Sequence, residues 1–541
     1  MKFMNKFYLA SFTFILVSLI FISLFCLFSV NEIILLMEIN MMNLNSIEFK
    51  FIMLVDWMSL IFSGVVFLIS GLVLIYSKDY LGEDCLRFLW LTIFFVLFML
   101  MMIMSPSILG VILGWDGLGL ISYCLVIYYQ SKTSFNSGFI TAASNRLGDS
   151  LLILSIVFCS FFGNFLFWEI NLWSIPMFLT ACLTKSAQFP FSAWLPLAMA
   201  APTPISSLVH SSTLVTAGVY MCIRFNSSLH MLNINLILFL ISGFTIILAS
   251  LSSFLEYDLK RIIAFSTLSQ LGFMMMILSL GFSFISFFHL LIHALFKALL
   301  FLCAGCFIHS GGSIQDLRKM GSMNMNLFMK FSMIISSFSL MGVPFSSGFY
   351  SKDLMLEFIF MSWGGVGIGM FMLLCALLTI SYSVRIFKLM NMNNIWVLWL
   401  EPSMMLLFSV ILLSLMNIIL GCSLSWIMIN VQFVCVSLEF KFYILIMLVI
   451  SLIWQGELNF NMNYFFIYSM FYLMSISKNM SKVISLIYLL FKHMDQGWME
   501  YILNYMKMYT IQLSFWWLNI LFNYYMYMYS IWFLIIMFIM F

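Results

Sequence analysis

Of the 541 residues, 64% are hydrophobic, and 23 Lys+Arg with 20 Asp+Glu make only 8% charged, against about a quarter in soluble domains. That is too little polar surface to coat a water-soluble globule, so the chain reads as a polytopic membrane protein. A net charge of +3 without a clustered Lys/Arg face excludes a nucleic-acid partner.

The first apolar run, about 8–30, follows Lys2 and Lys6 and lacks a small-residue cleavage site, so it reads as a retained anchor rather than a signal peptide. No Arg/Ser-rich transit segment precedes it, and the 47 Met suit synthesis inside the compartment that uses the protein. Further runs lie near 52–76, 88–105, 107–129, 138–161, 173–189, 204–224, 232–254, 262–281, 284–308, 329–360, 365–384, 403–421, 441–454 and 526–541. They predict an all-α membrane protein of about fifteen transmembrane helices. Strands are not expected, because the runs are too long and lack barrel-type alternation. If each run crosses once, the N-terminal side collects Lys2, Lys6, Lys78, Arg87, Lys132, Lys260, Arg261, Arg318, Lys319, Lys330, Arg385 and Lys388, and the other side only Lys50 and Arg224. This asymmetry puts the N-terminus in the cytoplasm or mitochondrial matrix.

Proline marks two interruptions. Pro190, Pro196, Pro202 and Pro204 fall in one short stretch, and Pro344 stands among Gly342, Ser346, Ser347 and Gly348 within another apolar run. Both predict broken helices, the hallmark of an internally repeated transporter with polar sites at the breaks. Cys303 and Cys306 with His309 lack a fourth ligand and a polar loop, so they read as core packing, and no metal site is expected.

An ionised side chain at mid-membrane costs about 2.5–3.5 kcal/mol on insertion scales, so each one retained there is a functional candidate. Asp116 lies within 107–129, Arg146 and Asp149 are spaced to pair on one helix face, and Lys185 precedes the Pro190 break. His210 follows that break. His289, His293 and Lys297, spaced by four and four, form a polar stripe about 12 Å long, and Lys352 and Asp353 follow Pro344. Acid, lysine, histidine and lysine on successive helices make sense as a proton relay, since imidazole exchanges protons at physiological pH. The chain has neither a GxxxxGK[ST] phosphate loop nor thiolate-cluster, haem, flavin or dinucleotide spacing, so no redox centre or cofactor is expected on it.

Gly114-Trp115-Asp116-Gly117, Asn145-Arg146-Leu147-Gly148-Asp149, Thr184-Lys185-Ser186-Ala187-Gln188-Phe189-Pro190, Ala201-Pro202-Thr203-Pro204, His210-Ser211-Ser212-Thr213, His293-Ala294-Leu295-Phe296-Lys297 and Gly348-Phe349-Tyr350-Ser351-Lys352-Asp353 occur in that order. Over about residues 50–390 this resembles the antiporter-like membrane subunits of respiratory complex I. The resemblance implies two inverted five-helix repeats, each with a discontinuous helix and a half-channel, then a lateral amphipathic helix and a final anchor. The expected parts are N-terminal helices over 1–87, repeats over 88–225 and 226–390, additional helices over 391–480, a lateral region over 481–525 and an anchor over 526–541.

It further implies that Asp116 and Lys185 are a coupling pair, that His210 connects them to His289, His293 and Lys297, and that Lys352 with Asp353 serves the far side. Arg146 and Asp149 match a charged pair near a neighbouring antiporter-like subunit. Many family members carry Glu where this chain has Asp116, which shortens the reach to Lys185 by one methylene. The implied activity is proton translocation driven by NADH-to-ubiquinone electron transfer elsewhere in the complex. The implied partners are other membrane-arm subunits and lipids, with NADH and ubiquinone reached only through the complex. The location is the mitochondrial inner membrane with the N-terminus matrix-side. Two rivals are a cation/proton antiporter of the Mrp type and a structural clamp of the membrane arm, built on the tail helix.

Overall fold

The computed structural model describes residues 2–44, 47–82, 85–163, 165–166, 171–231, 234–320, 326–361, 365–390, 401–428, 442–454, 470, 485 and 487–540. The chain divides into two units, residues 1–471 and 472–541.

In the first unit, α1 (Lys2–Asn31) packs along α2 (Trp57–Leu81). Gly71 makes that approach close, since a Cβ there would lie 3.2 Å from the Ser11 carbonyl. Phe14 and Phe21 meet Phe67 edge-on. The start of α2 is fixed by Asp56, whose carboxylate accepts from the Ser59 amide while the Ser59 hydroxyl accepts from the Asp56 amide, a reciprocal cap. There follow α3 (Cys85–Met104), α4 (Ile108–Val126), α5 (Lys132–Ser160) and α6 (Ser174–Lys185). Ser107 caps α4, and Ser131 and Ser134 cap α5 reciprocally.

After α6 the chain runs through short helical turns to a π-helical stretch, Ser206–Thr213, which continues into α7 (Leu214–Arg224). Then come α8 (Asn235–Leu255), α9 (Leu259–Ser279), α10 (Ser283–Ser310), α11 (Leu327–Met341), α12 (Ser347–Met361), α13 (Gly365–Met390), α14 (Met404–Met428) and α15 (Tyr443–Trp454). The spanning cores of α9 and α10 are wholly buried, and α10 packs against the π-helical stretch, α2, α7, α9, α11, α12 and α14. The second unit contains a π-helical turn, His493–Met499, leading into α16 (Glu500–Met540). Its 41 residues extend about 60 Å, and the helix runs unbroken through position 525/526, where the sequence suggested a lateral segment giving way to an anchor.

Among the described residues, ten helices are long and apolar enough to cross a membrane. The other five of the fifteen expected segments take different forms. Segments 173–189 and 204–224 become α6 and the π-helix with α7; 329–360 divides into α11 and α12; 441–454 holds the 12-residue α15; 526–541 is the end of α16. Much of the 391–480 expectation lies outside the described residues.

The expectation of no strands is corrected. Strands β1 (Leu35–Leu44) and β2 (Ile47–Val55) form an antiparallel hairpin between α1 and α2, with a register shift between Asn40 and Met42. Glu38 and Asn40 alternate with apolar residues on one strand, as do Glu48 and Lys50 on the other. This period of two marks a strand outside the spans rather than a barrel wall. Glu38 and Lys50 form a cross-strand ion pair at 3.7 Å.

Candidate functional site: buried polar groups at two interrupted helices

The first interruption begins at Lys185, the last residue of α6. Chain polarity leaves carbonyls without partners at such an end, and Trp194 fills one of them: its indole Nε1 donates to the Thr184 carbonyl at 3.1 Å. Two later helices tie down the rest of the break. Thr245 of α8 donates to Gln188 Oε1 at 2.8 Å, and Lys260 of α9 donates to the Ala201 carbonyl at 3.2 Å. The Lys185 side chain is buried, and its Nζ donates to the Trp115 carbonyl at 3.3 Å while lying 5.2 Å from the Trp115 ring centroid.

The glycines of the Gly114–Gly119 stretch make room for this. A Cβ on Gly114 would lie 2.8 Å from the Phe98 carbonyl, and one on Gly119 only 3.4 Å from Lys185 Nζ. Asp116 itself points to Arg146, 3.6 Å from Nη1, and Arg146 also approaches Asp149 at 3.3 Å. The expected Arg146/Asp149 pair is thus present. Asp116 joins that pair, while the amine of Lys185 is held one residue away at the Trp115 carbonyl. Asp149 is buried, but the side chains of Arg146 and Asp116 are 55% and 38% exposed in the isolated chain.

His210 sits in the π-helical stretch, fully buried, with its ring 6.3 Å from that of Trp194. On α10, His289, His293 and Lys297 are all buried. The three diverge in their partners. His289 bridges Ser351 Oγ of α12 at 2.9 Å and Gln270 Oε1 of α9 at 3.1 Å. Lys297 Nζ donates to Ser266 Oγ at 2.5 Å. His293 makes no hydrogen bond through either ring nitrogen, and neither does His210. Leaving a buried polar group unpaired costs about 1–3 kcal/mol, a cost that packing alone gives no reason to retain.

The second interruption lies between Met341 and Ser347. Gly342 caps α11 in the left-handed region (φ 81°), and Ser346 donates to the Phe338 carbonyl at 3.3 Å. Lys352 reaches back to donate to the Leu340 carbonyl, which places its cation at the negative end of the α11 dipole. Asp353 follows it, half-buried, on α12.

Two family models match this chain: one described as "NADH:quinone oxidoreductase/Mrp antiporter, TM" over residues 105–379, and one for the N-terminus of chain 5 of complex I over residues 41–89. A protein of Aedes aegypti named NADH-ubiquinone oxidoreductase chain 5 is 41% identical, over 94% of this chain and 93% of its own length. The protein of the same name from Locusta migratoria is 40% identical, over 88% and 92%. The chain belongs to the NADH-ubiquinone oxidoreductase chain 5 family. Among solved structures, a chain of the Mrp complex from a Dietzia species superimposes with a TM-score of 0.72 at 21% identity, covering 87% of this chain and 56% of that one. The chain thus spans little more than half of that longer protein. An archaeal membrane-bound sulfane sulfur reductase gives 0.60 at 19% identity, covering 74% of this chain and 83% of that one. Both likenesses concern the fold.

In this chain 5 family member, several polar contacts of the site lie on residues that the sequence did not single out. Ser266, Ser269 and Gln270 form a polar face of α9; Ser269 lies 2.8 Å from Tyr382 Oη of α13, and Gln270 Nε2 donates to it at 3.5 Å. Ser351 joins α12 to His289. The available signal was the spacing of three, four and one between Ser266, Ser269 and Gln270 within an apolar helix. Cys303 and Cys306 contact Ser332 and the Tyr76 hydroxyl respectively.

A second polar cluster centres on Asp56, whose position at the edge of an apolar run favours a satisfied structural hydrogen bond. Arg224 donates through Nη2 to Asp56 Oδ1 at 2.7 Å and through Nη1 to Oδ2, and it donates twice to the Tyr220 hydroxyl. This pair joins the start of α2 to the end of α7.

Proposed function

We propose that this chain is a proton-translocating membrane-arm subunit of NADH:ubiquinone oxidoreductase, driven by electron transfer from NADH to ubiquinone on other subunits. The observation that carries the reading is the presence, between two interrupted helices, of buried titratable side chains held by neutral polar groups rather than by carboxylates. Lys297 has a serine, Lys185 and the partly buried Lys352 have backbone carbonyls, and His210 and His293 have free ring nitrogens. A cation so placed responds to any charge introduced nearby, because the low local dielectric leaves it unscreened. In this scheme Asp116, with Arg146 and Asp149, is the acid end, and its charge biases Lys185. His210 connects to His293, Lys297 and His289, and Lys352 with Asp353 hands the proton on.

The repeats are assigned to 88–225 and 226–390, in inverted orientation, with 1–87 and 391–480 as flanking helices and the tail divided into 481–525 and 526–541. The Lys and Arg asymmetry of the loops supports an N-terminus on the matrix side of the inner mitochondrial membrane. The half-exposed Arg146 and Asp116 support contact with an adjacent antiporter-like subunit, and the apolar outer faces support contact with lipid. The chemistry assigned to this chain is proton transfer alone, without NADH, ubiquinone or a redox centre bound to it. Identity of about 40% along nearly the whole chain to chain 5 relatives favours this over a stand-alone Mrp-type antiporter.

The test is Lys297→Met and Lys185→Met in assembled complex, with proton uptake by sealed membranes measured against NADH oxidation. Both variants are expected to lower pumping and with it turnover. Pumping at the parental level in both would sink the relay assignment.

A further inference from the structure

The helix α14 lies beyond the residues 105–379 matched by the antiporter-type model, yet it bears directly on the second interruption. Ser347, the first residue of α12, donates through Oγ to Asn417 Oδ1 of α14 at 2.9 Å. Asn417 is 1% exposed, and its Nδ2 has no partner. Four residues further along α14, Gly421 lets the two helices touch, because a Cβ there would lie 2.5 Å from Ser347 Cβ. A buried amide in an otherwise apolar and serine-bearing helix is costly unless its hydrogen bonds matter. The one it makes is to the residue that opens α12.

From Ser347, one helical turn of about 6 Å leads to Ser351 on the same face, and Ser351 Oγ lies 2.9 Å from His289 Nδ1. The geometry points to Asn417 as a positioning residue for the relay. By holding the Ser347 hydroxyl it sets the angle at which α12 leaves the interruption, and so the alignment of Ser351 with His289 and, through Gln270, with α9. This rests on the relay reading given above. In that scheme α14 is a fixed wall that keeps the second interruption in register while charge moves past it.

The experiment uses the assembled complex with three variants: Asn417→Leu, Ser347→Ala and the two combined. Losing one hydrogen bond is expected to lower coupled NADH:ubiquinone turnover about three- to tenfold in N417L and in S347A, with the pH profile displaced in the same direction in both. The double variant is expected to be no slower than the slower single, because both remove the same bond. Parental turnover in S347A, or additive losses in the double variant, would overturn the inference; S347A, a single-atom deletion, carries the test if N417L fails to assemble. Lys297→Met in parallel separates the two levels. If it pumps normally, the relay reading fails and this inference with it; if it pumps poorly while S347A is unaffected, only the role of Asn417 is refuted.

Discussion

Replacing Asp56 by alanine removes two things at once, and the structure gives a magnitude to each. The carboxylate caps α2, a contribution of about 0.5–2 kcal/mol. It is also the bidentate partner of Arg224, and the two side chains are only 12% and 16% exposed, so solvent screens the pair little. Breaking a buried pair from one side costs about 3–5 kcal/mol, because the surviving charge is left buried. Tyr220 still accepts from Arg224 in the variant, which places the expected loss near the lower end, about 4 kcal/mol in total. That corresponds to roughly a thousandfold in a local opening equilibrium, at 1.36 kcal/mol per factor of ten.

The assay is peptide-resolved hydrogen exchange on the whole complex, following amides of Trp57–Leu60 and of Tyr220–Arg224. The Asp56→Ala, Arg224→Ala double variant removes both charges and is expected to retain only the cap loss, about tenfold faster exchange. A change under tenfold in the single variant, or a double variant that exchanges as fast as the single, would refute the argument that a mutually dependent ion pair secures these two helix ends.

Gly348→Ala would place a Cβ 1.8 Å from the Ser339 carbonyl, against backbone that has no rotamer by which to escape. The variant is expected to reduce assembled complex on native gels, whereas Gly367→Ala, with nothing within 4 Å, is expected to leave it unchanged. Truncation after residue 480 removes the long tail helix but no residue of the proposed relay. Any complex that assembles is expected to keep pumping, measured as proton uptake per NADH oxidised; loss of pumping in such a complex would move the coupling machinery into residues 481–541, and a failure to assemble would favour the clamp reading.

Much of this was legible because a membrane makes certain residues conspicuous. Lys185, His210, His289, His293 and Lys297 each stand in apolar sequence where a charge or imidazole is expensive, and prolines announced both interruptions. Neutral polar residues carry no such mark. Ser266, Gln270, Ser351 and Asn417 resemble the many serines that simply donate to the carbonyl one turn back, as Ser63, Ser70 and Ser77 do, and only their cross-helix partners separate them. The orientation of Asp116 was hidden for another reason: a spacing of three made Arg146 and Asp149 neighbours, but nothing in the sequence brought α4 against that pair. The hairpin falls largely between the apolar runs, whose length is what argued against strands; the intervening 31–51 segment, with Glu38, Asn40, Glu48 and Lys50 set among apolar residues, carries the short period of two on its own.

A π-helical stretch is a helix carrying a surplus residue. At Ser206–Thr213 that surplus sets the rotational phase between His210, within the stretch, and Tyr220 and Arg224, farther along α7. Each residue of an α-helix turns the chain by about 100°, so deleting a single residue here would swing Arg224 away from Asp56 or His210 away from Trp194. The bulge therefore acts as a phase adjuster, which lets one continuous helix serve a rigid anchor at its end and the proposed relay position of His210 nearer its start.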